Sequence, residues 1–372
     1  MVGMFDRYFQ IARCYRNEGT KADRQPEFTQ VDIELSFTTV KDIQNLIEKL
    51  IKYSWPPEKG DIKIPFTCLK YDDAIHYYGT DKPDLRYEMK WFENCCTSNS
   101  DPDFISSCLV IPHGSKLLKN REIRDIQKST ESVAFIPISV KDDFTWSSSI
   151  SKHINVETQQ NISQKLICAP GDLILLAIGK SMPTRTFLGK TRVRCAEYLQ
   201  SIGVDIIRSN ILSFVWITDF PLFLQNEDGI LESAHHPFTA PHAEDIDLIY
   251  SNPSKARSLH YDLVLNGQEI GGGSIRIHDA NLQKFILEDV LKEDPTDLQH
   301  LLDALHSGCP PHGGIALGID RMLAIMCGCQ SITEVIAFPK SLDGKDLMSG
   351  APCSLSSQDK VLYHIEPILP KQ

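Results

Sequence analysis

The sequence predicts an α+β fold, and three observations carry that reading. Two alternating segments, Tyr8–Arg16 and Glu27–Phe37, read as an antiparallel pair; an amphipathic helix follows them; and a second strand pair closes on Asn266-Gly267, residues that tolerate the positive φ of a type I′ turn. In the helix, Thr39 and Asp42 open the run, and Ile43, Leu46, Ile47, Leu50 and Ile51 recur at helical spacing as its apolar face. Pro56 and Pro57 end it. Short apolar strands at Ser107–Ile111, Ala134–Val140 and Asp172–Ile178 mix with a helical piece around Leu188–Leu199. Phe214–Ile217 reads as a buried strand, and Gly313-Gly314 as a glycine-rich turn leading into a helix that reaches Met326.

At 372 residues the chain is long enough for two or three structural units. Texture divides it into residues 1–90, 91–210, 211–350 and 351–372, the second a scaffolding insert and the last a Ser- and Pro-rich surface tail. A hydrophobic content of 42% excludes disorder for most of it. No apolar run approaches the roughly 18 residues of a membrane span, and no signal-peptide pattern opens the chain. No membrane partner is expected. The net charge of −11 argues against indiscriminate binding to nucleic acid but leaves room for a local basic patch. Eleven cysteines without C-x-x-C spacing read as reduced thiols, mostly in the core, of a reducing compartment.

Three constellations carry chemistry. In the first, Phe28, Gln30, Asp32, Glu34 and Ser36 share one strand face while Val31, Ile33, Leu35 and Phe37 share the other. Arg16-Asn17-Glu18 ends the preceding strand, and Lys21, Arg24 and Gln25 lie in the connecting loop. Guanidinium forks grip phosphate oxygens and an aromatic ring stacks on a base, so this set suits a nucleotide; the plain alternative is a solvated polar face.

In the second, counting back from the Asn266-Gly267 turn places 265 opposite 268, 264 opposite 269 and 262 opposite 271. Asp262 and Glu269 then lie on one face with β-carbons roughly 7 Å apart, a separation at which two carboxylates hold one divalent cation. Oxygen ligands favour Mg²⁺; a solvated acidic edge is the alternative. Gly271-Gly272-Gly273 imply a close backbone approach or a bulge. Strict alternation points Arg276 away from Glu269, so a shared site requires that bulge. His235-His236-Pro237, read as a strand, sends at most one imidazole to a ligand, the other being structural.

In the third, Gly313 to Arg321 lacks the Gly-Lys-Ser/Thr ending of a Walker loop. Its glycines let a bulky ligand approach, with Arg321 available to phosphates or a base.

Together these segments resemble motifs 2 and 3 of class II aminoacyl-tRNA synthetases, and in detail aspartyl-tRNA synthetases of the bacterial and mitochondrial type. The residues are Tyr15-Arg16-Asn17-Glu18, Arg24-Gln25-Pro26-Glu27-Phe28-Thr29-Gln30-Val31-Asp32, His235-His236-Pro237-Phe238-Thr239, Glu269 to Arg276, and Gly318-Ile319-Asp320-Arg321. The resemblance covers nearly the whole chain. It implies an antiparallel sheet flanked by helices, with motif 2 in residues 1–90, a bacterial-type α+β insertion domain in 91–210 and motif 3 in 211–350. It also implies activation of L-aspartate by ATP to aspartyl-adenylate, then transfer to the 3′ end of tRNA(Asp).

By the same resemblance Arg16 and Arg321 are catalytic. Arg16, Glu18, Gln25, Phe28, Glu269, Gly318, Ile319, Asp320 and Arg321 bind ATP. Phe28 and Arg321 enclose the adenine. Arg16, Gln30, Asp32, Arg276 and one of His235 and His236 bind aspartate, with Arg276 on its side-chain carboxylate, and Asp262 and Glu269 carry Mg²⁺. A homodimer and a mitochondrial matrix location are implied, the alternative being the cytoplasm of a bacterium. Asn17 stands where the family usually has Asp. The resemblance begins close to motif 2, so the anticodon-binding barrel, motif 1 and a substrate-gripping segment with its lysine have no counterpart here. The expectation is an N-terminally truncated ligase; the alternative is a non-catalytic relative that retains nucleotide or partner binding.

Overall fold

The computed structural model describes residues 1–17, 21–89, 91–94, 103–130, 132–208, 211–226 and 228–366. It divides into two compact units, one of Met1–Tyr8 with Ile33–Ile315 and the other of Phe9–Asp32 with Ala316–Gln372. Among the described residues no helix is long and apolar enough to cross a membrane.

The first unit is built on a sheet whose order is the end of Glu27–Ser36, the start of His312–Gly318, then Gln268–Ile275, His260–Leu265, Phe214–Thr218 and Thr67–Lys70. The edge strand Thr67–Lys70 runs parallel to Phe214–Thr218, whereas His260–Leu265 is antiparallel to both its neighbours. Its central strands are buried on both faces, which is why they read as unbroken apolar runs: Val215, Ile217 and Val264 pack with Phe220 and Ala74. The Val40–Ser54 helix is opened by a capping box between Thr39 and Asp42. It buries Ile43, Ile47 and Ile51 but leaves Leu46 and Leu50 more than a third exposed. The buried face includes Glu48 instead, whose carboxylate accepts from Phe66 N–H (3.0 Å) and Trp216 Nε1–H (3.1 Å). A satisfied carboxylate thus takes a place that apolar periodicity assigned to leucine.

A second sheet in the same unit has the order Trp91–Glu93, Phe104–Ile111, Leu173–Lys180, Ala134–Val140, Trp146–Ser147, and every pair is antiparallel. One face packs Leu109, Ile111 and Leu175 against Phe187, Leu188 and Leu199 of the Ser181–Ser201 helix. That helix also carries Arg192, which is 1% exposed. Its Nε donates to Met89 O (2.8 Å), its Nη2 to Asp84 O (3.0 Å) and Tyr87 O (2.8 Å), and the guanidinium lies 4.1 Å from the Tyr87 ring centre. A buried cation is tolerated because three carbonyls and an aromatic face replace water.

The second unit holds the residues of Arg7–Tyr15 and Glu27–Ser36 from Phe9 to Asp32, the end of the His312–Gly318 strand, the Ile319–Cys327 helix and a short Ser357–Leu362 helix. Three sequence expectations change here and at its borders. Gly313 and Gly314 belong to a strand, not a turn, because neighbouring backbone and side chains crowd the space where their β-carbons would stand. Phe37 falls outside its strand, at φ 53° and 73% exposed, so Ile33 alone among the four apolar residues of that face is buried. None of the described cysteines is in a disulfide, and only Cys108, Cys168, Cys195 and Cys309 are buried. Cys68 lies on an edge strand and Cys327 in a helix's last turn, where no core reaches them. Cys95 and Cys96 lie outside the described residues.

Candidate active site

In the first unit the site grows from the hairpin. Asn266 and Gly267 both take positive φ, 52° and 81°, as the turn requires. Leu265 faces Gln268 and Val264 faces Glu269, as counted from the sequence. The register then shifts: Leu263 pairs with Gly271, leaving Ile270 as an extra residue, and Asp262 faces Gly272 and not Gly271. This bulge reverses the alternation beyond it, so Gly272, Ser274 and Arg276 share the face of Glu269. A β-carbon on Gly272 would stand 2.4 Å from Asp262 Oδ1 and 3.8 Å from Glu269 Oε1. The two carboxylates converge over that glycine, and no other residue leaves them room.

Asp262 is 4% exposed and accepts from His260 Nε2 (2.9 Å). Burial, and then the neighbouring Glu269 charge, push its carboxyl well above the usual range. Glu269 Oε2 lies 3.0 Å from Lys82 Nζ. Sequence reasoning missed both partners. His260 was available from alternation, two residues before Asp262 on the same face; Lys82, 187 positions before Glu269, carried no such signal.

His235 and His236 lie in a bend after the Leu231–Ser233 strand, which corrects the strand reading. Freed from alternation, each ring finds its own partner. His235 stacks on His260, with ring centres 3.5 Å apart and planes at 20°, and Phe220 meets both rings edge-on. His236 Nε2 accepts from Arg276 Nη1, which needs a neutral imidazole. Burial, helped by the Arg276 charge, holds its pKa down at about 4. Arg276 also donates to Ser274 Oγ (3.0 Å) and Glu34 Oε1 (3.1 Å). Arg276 and Glu34 line a cavity of 460 Å³ whose other walls include His312, Gln283, Phe238 and Leu305.

His235, His260 and Asp262 offer donor atoms within 4.8 Å of one another, but stacked imidazoles do not splay around one ion. The converging carboxylates are the better cation donors: hard, anionic oxygens already engaged by an ammonium.

In the second unit, Arg16 lies 5.2 Å from the centre of the Phe28 ring. Asp320 accepts from the Thr29 amide (2.7 Å), tying the start of the Ile319–Cys327 helix to the Phe28 strand. Arg321 Nη2 donates to Asp23 O (3.1 Å) and pairs with its carboxylate at 3.5 Å. Gln25 is buried; its Oε1 accepts from the Lys340 amide (2.8 Å), and its Nε2 has no partner among the described residues. Gln30 Oε1 is 3.2 Å from Cys14 Sγ. Asp32 Oδ2 accepts from Gln10 (3.3 Å), while its buried Oδ1 has no partner among the described residues. Gly318 ends its strand and Ile319 begins the helix. Glu18 lies outside the described residues.

Residues 1–342 match the family model of class II tRNA synthetases (D, K and N). The chain belongs to this family. Among relatives of this class II synthetase, a protein of Bos taurus named mitochondrial aspartate–tRNA ligase is 47% identical over 98% of this chain and 59% of its own length. A mitochondrial aspartate–tRNA ligase of Homo sapiens is 46% identical over 98% and 59%. The aspartate–tRNA(Asp/Asn) ligase of Opitutus terrae is 38% identical over 100% and 65%. The chain thus spans about three-fifths of the length of the curated relatives it matches.

Proposed function

We propose that this chain performs the chemistry of an aspartate–tRNA ligase, activating L-aspartate with ATP and passing it to the 3′ end of tRNA(Asp). The observation that carries the reading is Arg276, a partly buried fork held by Ser274, His236 and Glu34 at the wall of a cavity. A guanidinium fixed in this way matches the side-chain carboxylate of aspartate and penalises asparagine, whose amide would leave the cation poorly paired. The names of the relatives support the same substrate.

The remaining roles follow from charge. Asp32, with one buried oxygen that has no partner among the described residues, accepts the substrate ammonium, and Gln30 and His235 also serve the aspartate. Gln25, whose buried amide nitrogen has no partner among the described residues, and Glu18 bind ATP. Phe28 and Arg321 hold the adenine, and Gly318, Ile319 and Asp320 shape that contact. Arg16 steadies the α-phosphate and the attacking carboxylate. Asp262 and Glu269 would hold Mg²⁺, which would supply positive charge against the triphosphate. A carboxylate oxygen of aspartate bonds to the α-phosphorus as the bond to pyrophosphate breaks; the terminal tRNA hydroxyl then takes the aspartyl group and AMP leaves. Positioning and charge neutralisation suffice, without a strong base. A homodimer and a mitochondrial location belong to the same proposal, the latter supported by the mitochondrial relatives.

ATP–pyrophosphate exchange tests this, on this chain and on one extended at its N-terminal side. Exchange that needs L-aspartate, ignores L-asparagine and disappears in Arg276→Leu is expected. Nucleotide binding with no aspartate-dependent exchange by either chain would overturn the reading.

A further inference from the structure

We propose that Lys82 is a resident counter-cation of the Asp262–Glu269 pair, partly neutralising it until a divalent cation displaces the ammonium. The inference rests on the reading of that pair as a metal site.

Two carboxylates that converge over Gly272 repel each other, and one of them is buried. Such a pair is costly to keep fully charged without a positive partner. Lys82 Nζ, 3.0 Å from Glu269 Oε2, provides it.

The lysine is delivered by a built loop. Gly79 ends the preceding helix in the left-handed region, and the Lys82 amide donates to Thr80 Oγ1 (3.1 Å). Asp84 is gripped by Arg86 through Nη2 (2.7 Å) and Nε (3.0 Å), while Arg192 binds the carbonyls of Asp84, Tyr87 and Met89. Asp84 also sits against the hairpin turn, 3.0 Å from where a β-carbon of Gly267 would stand. The loop root is therefore fixed relative to the hairpin, and the flexible part is the lysine stem.

That stem has a second place to go. Asp81 Oδ2 lies 3.5 Å from Lys82 Nζ, and the lysine side chain is 39% exposed at the mouth of the cluster. An ammonium displaced from Glu269 stays paired, so the exchange of one cation for another is cheap.

Titration of the intact chain with Mn²⁺, followed by electron paramagnetic resonance, reads this without any turnover. The site is the portion of binding lost in Glu269→Gln. Lys82→Met is expected to bind Mn²⁺ about tenfold more tightly at that site than wild type, because a competing charge is gone. Lys82→Arg should stay near wild type. Lys82→Gln should repeat the Lys82→Met result if Lys82→Met folds poorly, and thermal melts identify that case. Unchanged or weaker Mn²⁺ binding in folded Lys82→Met and Lys82→Gln would overturn the role of Lys82 while leaving the metal site intact. Absence of Glu269-dependent Mn²⁺ binding in wild type and in all Lys82 variants would sink the metal reading itself and this inference with it.

Discussion

Asp245 and Asp262 are both buried aspartates of the first unit, and their surroundings treat them in opposite ways. Asp245 accepts Arg257 Nε at Oδ2 (2.8 Å), Arg257 Nη2 at Oδ1 (3.0 Å) and the Arg257 amide (2.9 Å), and these bonds hold its pKa down at about 2. Asp262 has one imidazole donor and faces Glu269, and burial pushes its carboxyl up. A carboxylate that serves the fold is given all its partners within the chain. In the proposed metal pair one ammonium is shared between two carboxylates, and the remaining deficit of positive charge would make it receptive to a cation.

The comparison can be broken most forcefully at Glu269. Glu269→Gln should cut aspartate-dependent exchange at least about hundredfold while the melting temperature holds or rises, because a repulsion is removed with the charge. A fall in melting temperature would show that Glu269 is a structural carboxylate after all. Gly272→Ala should come next, since its methyl would press on Asp262 Oδ1 at 2.4 Å. A stability loss of about 1–3 kcal/mol is expected in urea melts, with weaker exchange in the folded fraction. Asp245→Asn should cost about 2 kcal/mol in the same melts and leave the KM for aspartate unchanged. The smallest effect sharpens the contrast by pH. A depressed carboxyl contributes stability above its ordinary pKa near 3.8 and loses it as pH falls toward 2. The gap between wild type and Asp245→Asn should therefore be full at pH 5 and narrower at pH 2.5.

Local rules made much of this molecule legible. The Thr39 capping box and the Asn266-Gly267 turn depend on residues a few positions apart, and both stand where the sequence placed them. The bulge at Ile270 was visible only as a condition, because three glycines permit a shift of register without saying where it falls. His235 and His236 were misread because strand alternation was assumed where the chain bends. Gly313 and Gly314 looked like a turn since glycine's other use, letting backbones and side chains crowd close, is set by neighbours far along the chain. Lys82 lay beyond reach for the same reason. Its partner is chosen by a loop anchored at a distance, and no spacing rule connects them.

Arg192 has a consequence for anyone who would pare this protein down. Residues 91–210 are not a separable cassette. Their long helix contributes the guanidinium on which residues 84–89 hang, so excising 91–210, or grafting that stretch from another relative, would unmoor the loop that carries Lys82 unless a replacement donor reached the same three carbonyls.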